Sequence, residues 1–307
     1  MKNHSFFSIH RKVSLLVVLL LILTACGSKE DYQWEDWNEA ENVASVGVQS
    51  EDGTTEELEP GTTMGIYIID ENGNLTWVVV EVDENGNVIL PPEALSGKAV
   101  VYTPVQSSWG LAAFTGSPKF YIKSDQSDED GYEASDLMIG TMSSVSGTRG
   151  AGGTRGTGLR LSLKHMLAKV VIHVIDETGM MDFDQVSMQL LKMRNGVSVS
   201  LAQQEVETLE NSSADIDMLA YYSTDRRISM MAIVPSQLIG EGEEFFKINM
   251  PGNSRVGVLP SETMLEADKT FVYQVRYTEN GPVFESSFIT KWEDDGSEAI
   301  LDIRTNK

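Results

Sequence analysis

The chain has a single cysteine in 307 residues, Cys26, so no disulfide can staple the fold and stability has to come from apolar burial. Basic residues are scarce, with 23 lysines and arginines against 46 acidic side chains and a net charge of −23 with histidines neutral. A chain this acidic repels phosphate backbones and anionic headgroups, which excludes nucleic acid as a partner and surface charge as a means of holding a membrane. Histidine is rarer still, at four, and only His165 and His173 lie beyond the first 25 residues. On one extended strand these two would stand ~25 Å apart, too far to share a metal ion, so each reads as structural. The chain contains no Gly-x-Ser-x-Gly, and its abundant Asp and Glu show no spacing that singles out a glycosidase pair. It reads as a non-enzymatic protein that needs no cofactor.

What is present begins with Lys2, Arg11 and Lys12 ahead of the apolar run Val13 to Leu23 and the small-residue stop Leu23-Thr24-Ala25-Cys26. A charged start followed by an apolar stretch too short for a confident span predicts a signal peptide over residues 1–25. Leu-Thr-Ala-Cys resembles the lipobox of bacterial lipoproteins, which implies acylation of Cys26 with fatty acid such as palmitate and attachment to outer-membrane lipid. Removal of residues 1–25 leaves twenty basic residues and all 46 acids, a net charge of −26. Residues 26–42 form an acidic tether whose Ser28, Lys29, Glu30 and Asp31 resemble a surface-export signal. The expected location is the outer membrane, facing outward.

From Val43 the chain is written in strands. Val43, Val46 and Val48 open the pattern, and Met64 to Ile69, Leu75 to Val82, Val88 to Leu90 and Ala99 to Tyr102 follow between turn residues. Asp70-Glu71-Asn72-Gly73-Asn74 recurs as Asp83-Glu84-Asn85-Gly86-Asn87, and Asn-Gly suits tight hairpins, so a three-stranded meander is expected here. Neither repeat has the ligand spacing of a calcium loop, nor do Asp125, Asp128, Asp130 and Glu133.

Residues 143–158, rich in Gly, Ser and Thr, read as a linker that exposes Arg149 and Arg155 to trypsin-like proteases. No Gly-Lys-Ser/Thr ends this segment, so it is no phosphate cradle. Beyond it the strand pattern resumes, from Leu159 to a last apolar stretch at Ala299 to Ile303, with Asn280-Gly281 as a further hairpin turn. Helix signals are few and no strand-helix alternation appears, which argues for antiparallel packing. The expected architecture is all-β, two tandem antiparallel sandwiches over 43–142 and 159–307.

Several segments taken in order resemble the fimbrillins, a family of pilin and pilus-accessory subunits. They are Met64-Gly65-Ile66-Tyr67, Val101-Tyr102-Thr103-Pro104, Asp136-Leu137-Met138-Ile139-Gly140 and Leu163-Lys164-His165-Met166-Leu167-Ala168-Lys169-Val170. Tyr273-Gln274-Val275 and Ile289-Thr290-Lys291-Trp292 resemble the family's last strand pair. The resemblance implies transthyretin-like sandwiches and a subunit of surface fimbriae that serves cell adhesion. It further implies other fimbrial subunits as partners, reached by strand exchange. Val43, Val46 and Val48 would then belong to a displaceable first strand, and Ile300, Leu301 and Ile303 to a donor strand. Stalk subunits of the family are trimmed by an arginine-specific protease, yet no Arg or Lys lies between Lys29 and Lys98. That departure favours an anchor or accessory subunit that keeps its lipid. The rival expectation is a monomeric surface lipoprotein that binds glycan or host protein through Trp34, Trp37, Trp109 and Trp292.

Overall fold

A computed structural model of the chain describes residues 43–49, 55–149, 155–224 and 226–295. The expected signal peptide, Cys26, the expected tether with Trp34 and Trp37, and the apolar stretch 299–303 lie outside these residues. The strands of the first half are β1 (Val43–Gln49), β2 (Thr55–Glu56), β3 (Thr63–Ile69), β4 (Leu75–Glu81), β5 (Asn87–Ile89), β6 (Lys98–Thr103), β7 (Lys119–Tyr121) and β8 (Met138–Arg149). Two short helices, α1 (Leu111–Thr115) and α2 (Glu129–Glu133), flank β7. Then follow β9 (Arg155–His165), β10 (Ala168–Asp176), β11 (Ser187–Arg194), β12 (Gly196–Ser200), β13 (Glu205–Thr208), β14 (Ser213–Asp217), β15 (Leu219–Ser223) and β16 (Arg227–Val234). The chain continues through β17 (Gln237–Ile239), β18 (Glu244–Met250), β19 (Asn253–Val258), β20 (Thr263–Leu265), β21 (Lys269–Thr278) and β22 (Gly281–Lys291). The fold is all-β, in agreement with the period-2 patterning.

The repeated Asp-Glu-Asn-Gly-Asn segments form the same turn twice. Asp70 Oδ1 accepts from the backbone N–H groups of Asn72 and Asn74, and Asp83 Oδ1 does so from Asn85 and Asn87. Gly73 and Gly86 take φ of +83° and +73°, which glycine adopts without steric cost. Donation from Asn74 holds the Asp70 carboxyl below its usual pKa range, and donation from the Asn87 N–H does the same for Asp83.

The two turns do different work. The first joins β3 to β4 as an antiparallel hairpin with Ile69 opposite Leu75. The second does not continue a meander, because β5 leaves β4 and pairs with β1, Val43 opposite Ile89. The resulting eight-stranded sheet has the order β2-β1-β9-β8-β6-β3-β4, with β5 joined to β1 off this path. The chain thus crosses from one end of the sheet to the other within five residues, which curls the sheet around a core of Ala44, Val46, Ile66, Ile68, Val88, Val101, Leu161 and Leu163.

Residues expected to be linker are also different. Residues 143–149 and 155–158 extend β8 and β9, which pair from Met138 opposite His165 out to Arg149 opposite Arg155. Serine and threonine are compatible with a ribbon whose partner strand lies adjacent in sequence, and composition alone cannot tell such a ribbon from a loop. The first sheet therefore runs to His165.

Beyond it, the sheet β15-β16-β10-β21-β22 faces the sheet β14-β11-β18-β19 across a core that includes Ile172, Val174, Met230, Phe271, Tyr273, Leu190, Phe246 and Ile248. Pairing is mostly antiparallel, with parallel joins at β1–β9 and β10–β21. The segment between β6 and β8 docks on the second half. There β7 pairs with β12, and the buried Gln126 side chain donates to the Ile233 carbonyl at 2.9 Å and accepts from the Ile233 N–H at 2.8 Å.

Candidate functional site

Strand β1 is the first candidate. It runs parallel to β9, Ala44 opposite Leu159 and Val48 opposite Leu163, and antiparallel to β5 and β2 on its other side. Ala44, Val46 and Val48 point into the curled core, Val46 and Val48 each 4 % exposed, while Val43, Ser45 and Gln49 face out. Gly47 is required where β2 crosses, since a Cβ there would stand 2.2 Å from Thr55 Cγ2 and 2.9 Å from the Glu56 carbonyl oxygen. The apolar residues are small, and only backbone bonds and a few side chains hold the strand between its neighbours.

The other face of the same sheet carries an aromatic cluster built from the first two family-like segments. Tyr67 and Tyr102 stack with centroids 5.7 Å apart, Trp109 lies 5.0 Å from Tyr102, and Trp77 Nε1 donates to the Tyr102 hydroxyl at 3.3 Å. Burial, and then the neighbouring Tyr102, pushes the Tyr67 phenol well above its ordinary pKa, so it stays a neutral donor to the Gly110 carbonyl at 3.1 Å. Gly65 leaves room for the Tyr102 ring, which would sit 2.2 Å from an added Cβ.

The other family-like segments meet at a second place. Asp136, before β8, lies 2.8 Å from His165 Nδ1 at the end of β9, and the His165 ring stacks on Trp292 at 3.9 Å and 14°. Lys169 Nζ sits 5.2 Å from the centre of the Trp292 ring. Burial depresses the Lys169 pKa, opposed by the carboxylates of Asp136, Asp295, Glu293 and Glu56. Segments separated by more than a hundred residues thus close on one indole. Asp136, His165 and Trp292 all lie in segments singled out from sequence, whereas their convergence carries no local signal. His173 stands apart from His165 on a different strand, with Nδ1 2.7 Å from Ser229 Oγ and Nε2 2.8 Å from the Asp295 carbonyl. Both histidines are structural partners.

The remaining sequence-derived residues separate. Arg149 and Arg155 close the described part of the β8–β9 ribbon. Ile300, Leu301 and Ile303 lie outside the described residues, as does Cys26. Trp109 and Trp292 are 2 % and 6 % exposed, so neither offers a platform for a sugar or a protein. Among the described residues no cluster of His, Cys, Asp and Glu could hold a metal ion.

A sequence family described as fimbrillin-like matches residues 37–292. No curated protein sequence shows significant similarity to the chain. Among solved structures, a candidate cell adhesion protein from Bacteroides ovatus superposes with a TM-score of 0.59 at 12% identity, covering 81% of this chain and 96% of that one. A second, from Bacteroides uniformis, gives 0.55 at 14% identity, covering 81% and 98%. The fimbrial anchor protein Mfa2 from Porphyromonas gingivalis gives 0.43 at 12% identity, covering 81% and 96%.

Proposed function

Because this chain belongs to the fimbrillin-like family, we propose that it is a structural subunit of surface fimbriae, an anchor or accessory subunit that assembles by β-strand exchange and serves cell adhesion. Its family is structural, and it is not an enzyme. The observation that carries the assembly reading is the slot of β1. Withdrawal of this strand would leave β9 and β5 with unpaired N–H and C=O groups beside an apolar trough, and an extended segment from another subunit would restore both. In the proposed arrangement the sheet containing β1 belongs to an N-terminal sandwich and the facing sheets beyond His165 to a C-terminal one. Ile300, Leu301 and Ile303 supply the donor, and acylated Cys26 holds the tether in the outer membrane.

The partners are other fimbrial subunits, outer-membrane lipid and a host or bacterial surface ligand. The monomeric ligand-binding alternative loses two of its four tryptophans to the core.

The test is recovery of the protein from cells after surface cross-linking. Ladders of subunits that depend on residues 296–307 and shrink when a peptide of residues 43–49 is supplied support the proposal. A protein recovered only as monomer, with or without that tail, overturns it. Palmitate labelling that survives Cys26→Ala would remove the anchor role alone.

A further inference from the structure

The sheet β15-β16-β10-β21-β22 has one face in the core, through Val170, Ile172 and Val174 of β10. Alternation turns Lys169, Val171 and His173 to the opposite face, beside Thr270, Val272 and Gln274 of β21 and Ser229 of β16. An outer face is ordinarily wet, yet Val171, Val272 and His173 here are fully buried and Lys169 nearly so.

The chain leaving β22 crosses onto this face. Thr270 Oγ1 donates to the Trp292 carbonyl at 3.0 Å, the Trp292 ring lies between His165 and Lys169, and three residues later the Asp295 carbonyl meets His173 Nε2 at 2.8 Å. Residues 292–295 follow β10 from Lys169 towards His173. They form a strap, fastened at both ends by side chains of the sheet beneath.

The chemistry of the fastening is specific. A neutral His173 imidazole donates from Nε2 to Asp295 and accepts from the Ser229 hydroxyl at Nδ1, which satisfies both ring nitrogens. Protonation turns Nδ1 into a second donor, removes the acceptor of the Ser229 hydroxyl, and places a cation under the strap. The groups facing it are the Arg227 guanidinium, which opposes the added charge, and the Asp295 carboxylate, which favours it. Lys169, two residues earlier on the same face, is a further buried amine, with Asp136, Glu293 and Glu56 around it. Burial prevails at His173 and holds its pKa below the ordinary histidine range. Opening the strap readmits water to the imidazole, so protonation and opening favour each other.

We propose that residues 292–295 are an acid-released latch, closed by neutral His173, that fixes the backbone at Asp295 against the sheet beneath. Closed, the latch holds Asp295 in one place. Open, it frees Asp295 while the sheet beneath stays folded. The latch stands on the geometry around His173 and holds whether or not the tail acts as a donor strand.

Hydrogen exchange of the full chain at pH 7.5 and 5.0, corrected for intrinsic rates, tests this. Protection of the peptide containing residues 292–295 is expected to fall about tenfold or more at pH 5.0, with β10 and β21 unchanged. In His173→Gln, which keeps a donor but cannot titrate, strap protection should not change between the two values. Thr270→Val, which leaves the imidazole intact, should loosen the strap at pH 7.5 and retain the acid response. Wild-type protection that ignores pH overturns the latch, as does an equal acid response in His173→Gln or loss in step with β10 and β21.

Discussion

Val46→Ala probes whether β1 can leave the sheet alone. Val46 is 4 % exposed and packs in the curled core, so the substitution removes two methyl groups from a site walled by other apolar residues. At about 0.8 kcal/mol per buried carbon the transfer loss is about 1.6 kcal/mol, and the cavity left behind raises it to about 2–3 kcal/mol. If β1 opens as a local unit, that energy appears as a thirtyfold or greater rise, in order of magnitude, in exchange of its amides and those of β5. Amides of β10 and β21, which belong to the other core, should not change. Native-state hydrogen exchange under mild denaturant reads both sets at once. A rise shared equally by β10 and β21 would refute the reasoning, since β1 would then open only when everything unfolds. A loss below ~0.5 kcal/mol would show that β1 is not packed against the core at all.

Three further outcomes follow from the same packing rules. Gly140→Ala places a Cβ 1.8 Å from the Ser162 carbonyl oxygen and 2.7 Å from Leu163 Cα, which are backbone atoms of β9 that cannot yield without breaking the ribbon. It should cost about 2–3 kcal/mol, a fall in Tm of roughly 5 °C or more by calorimetry, and an unchanged Tm would refute the close approach. Gly73→Ala has open space around it but a φ of +83°, so it should cost only about 1–2 kcal/mol, and Gly73→Asn less, by chemical denaturation. For the buried Asp176, desolvation raises the pKa, but donation from Thr178, Met181 and Gly179 outweighs it and leaves the net value below the ordinary one. The native state therefore binds this proton less readily than the unfolded chain. Stability from Asp176 is complete above the unfolded pKa and lost as pH falls from there through the folded one. Asp176→Asn should cost about 1–3 kcal/mol at pH 7 and flatten the acid limb of a stability-pH curve; an unaltered limb would refute the assignment.

Much of the architecture was legible because it is local. Period-2 alternation placed β3, β4 and β6 at nearly their observed positions, and the Asp-Glu-Asn-Gly-Asn repeats announced two turns. What those repeats could not say is where the strand after the turn goes. The two turns share every residue type and the same bonds from backbone N–H groups to the leading aspartate, yet one makes a hairpin and the other a crossover, because β5 finds its partner in β1, some forty residues upstream. Parallel joins at β1–β9 and β10–β21 are likewise set by long-range packing, which leaves no mark in a window of ten residues. The β8–β9 ribbon departs from its composition for the opposite reason, since its Gly and Ser content is that of a linker. At the candidate sites, His165, Asp136 and Trp292 were each within segments already marked, but only the fold shows that they touch. Gln126 was invisible, because a glutamine that imitates a strand's hydrogen bonds looks like any other surface amide in sequence.

The position of β1, with a parallel neighbour on one side and antiparallel neighbours on the other, gives its slot a direction. A segment inserted backwards would meet β9 antiparallel and β5 parallel, so no hydrogen bond on either side would be kept in its original form. It would also have to present a glycine where β2 crosses. A replacement that keeps the native bonds must point the way β1 points. Units joined in series through such slots form a chain with two unlike ends, one carrying a slot that no neighbour has filled and the other a free segment.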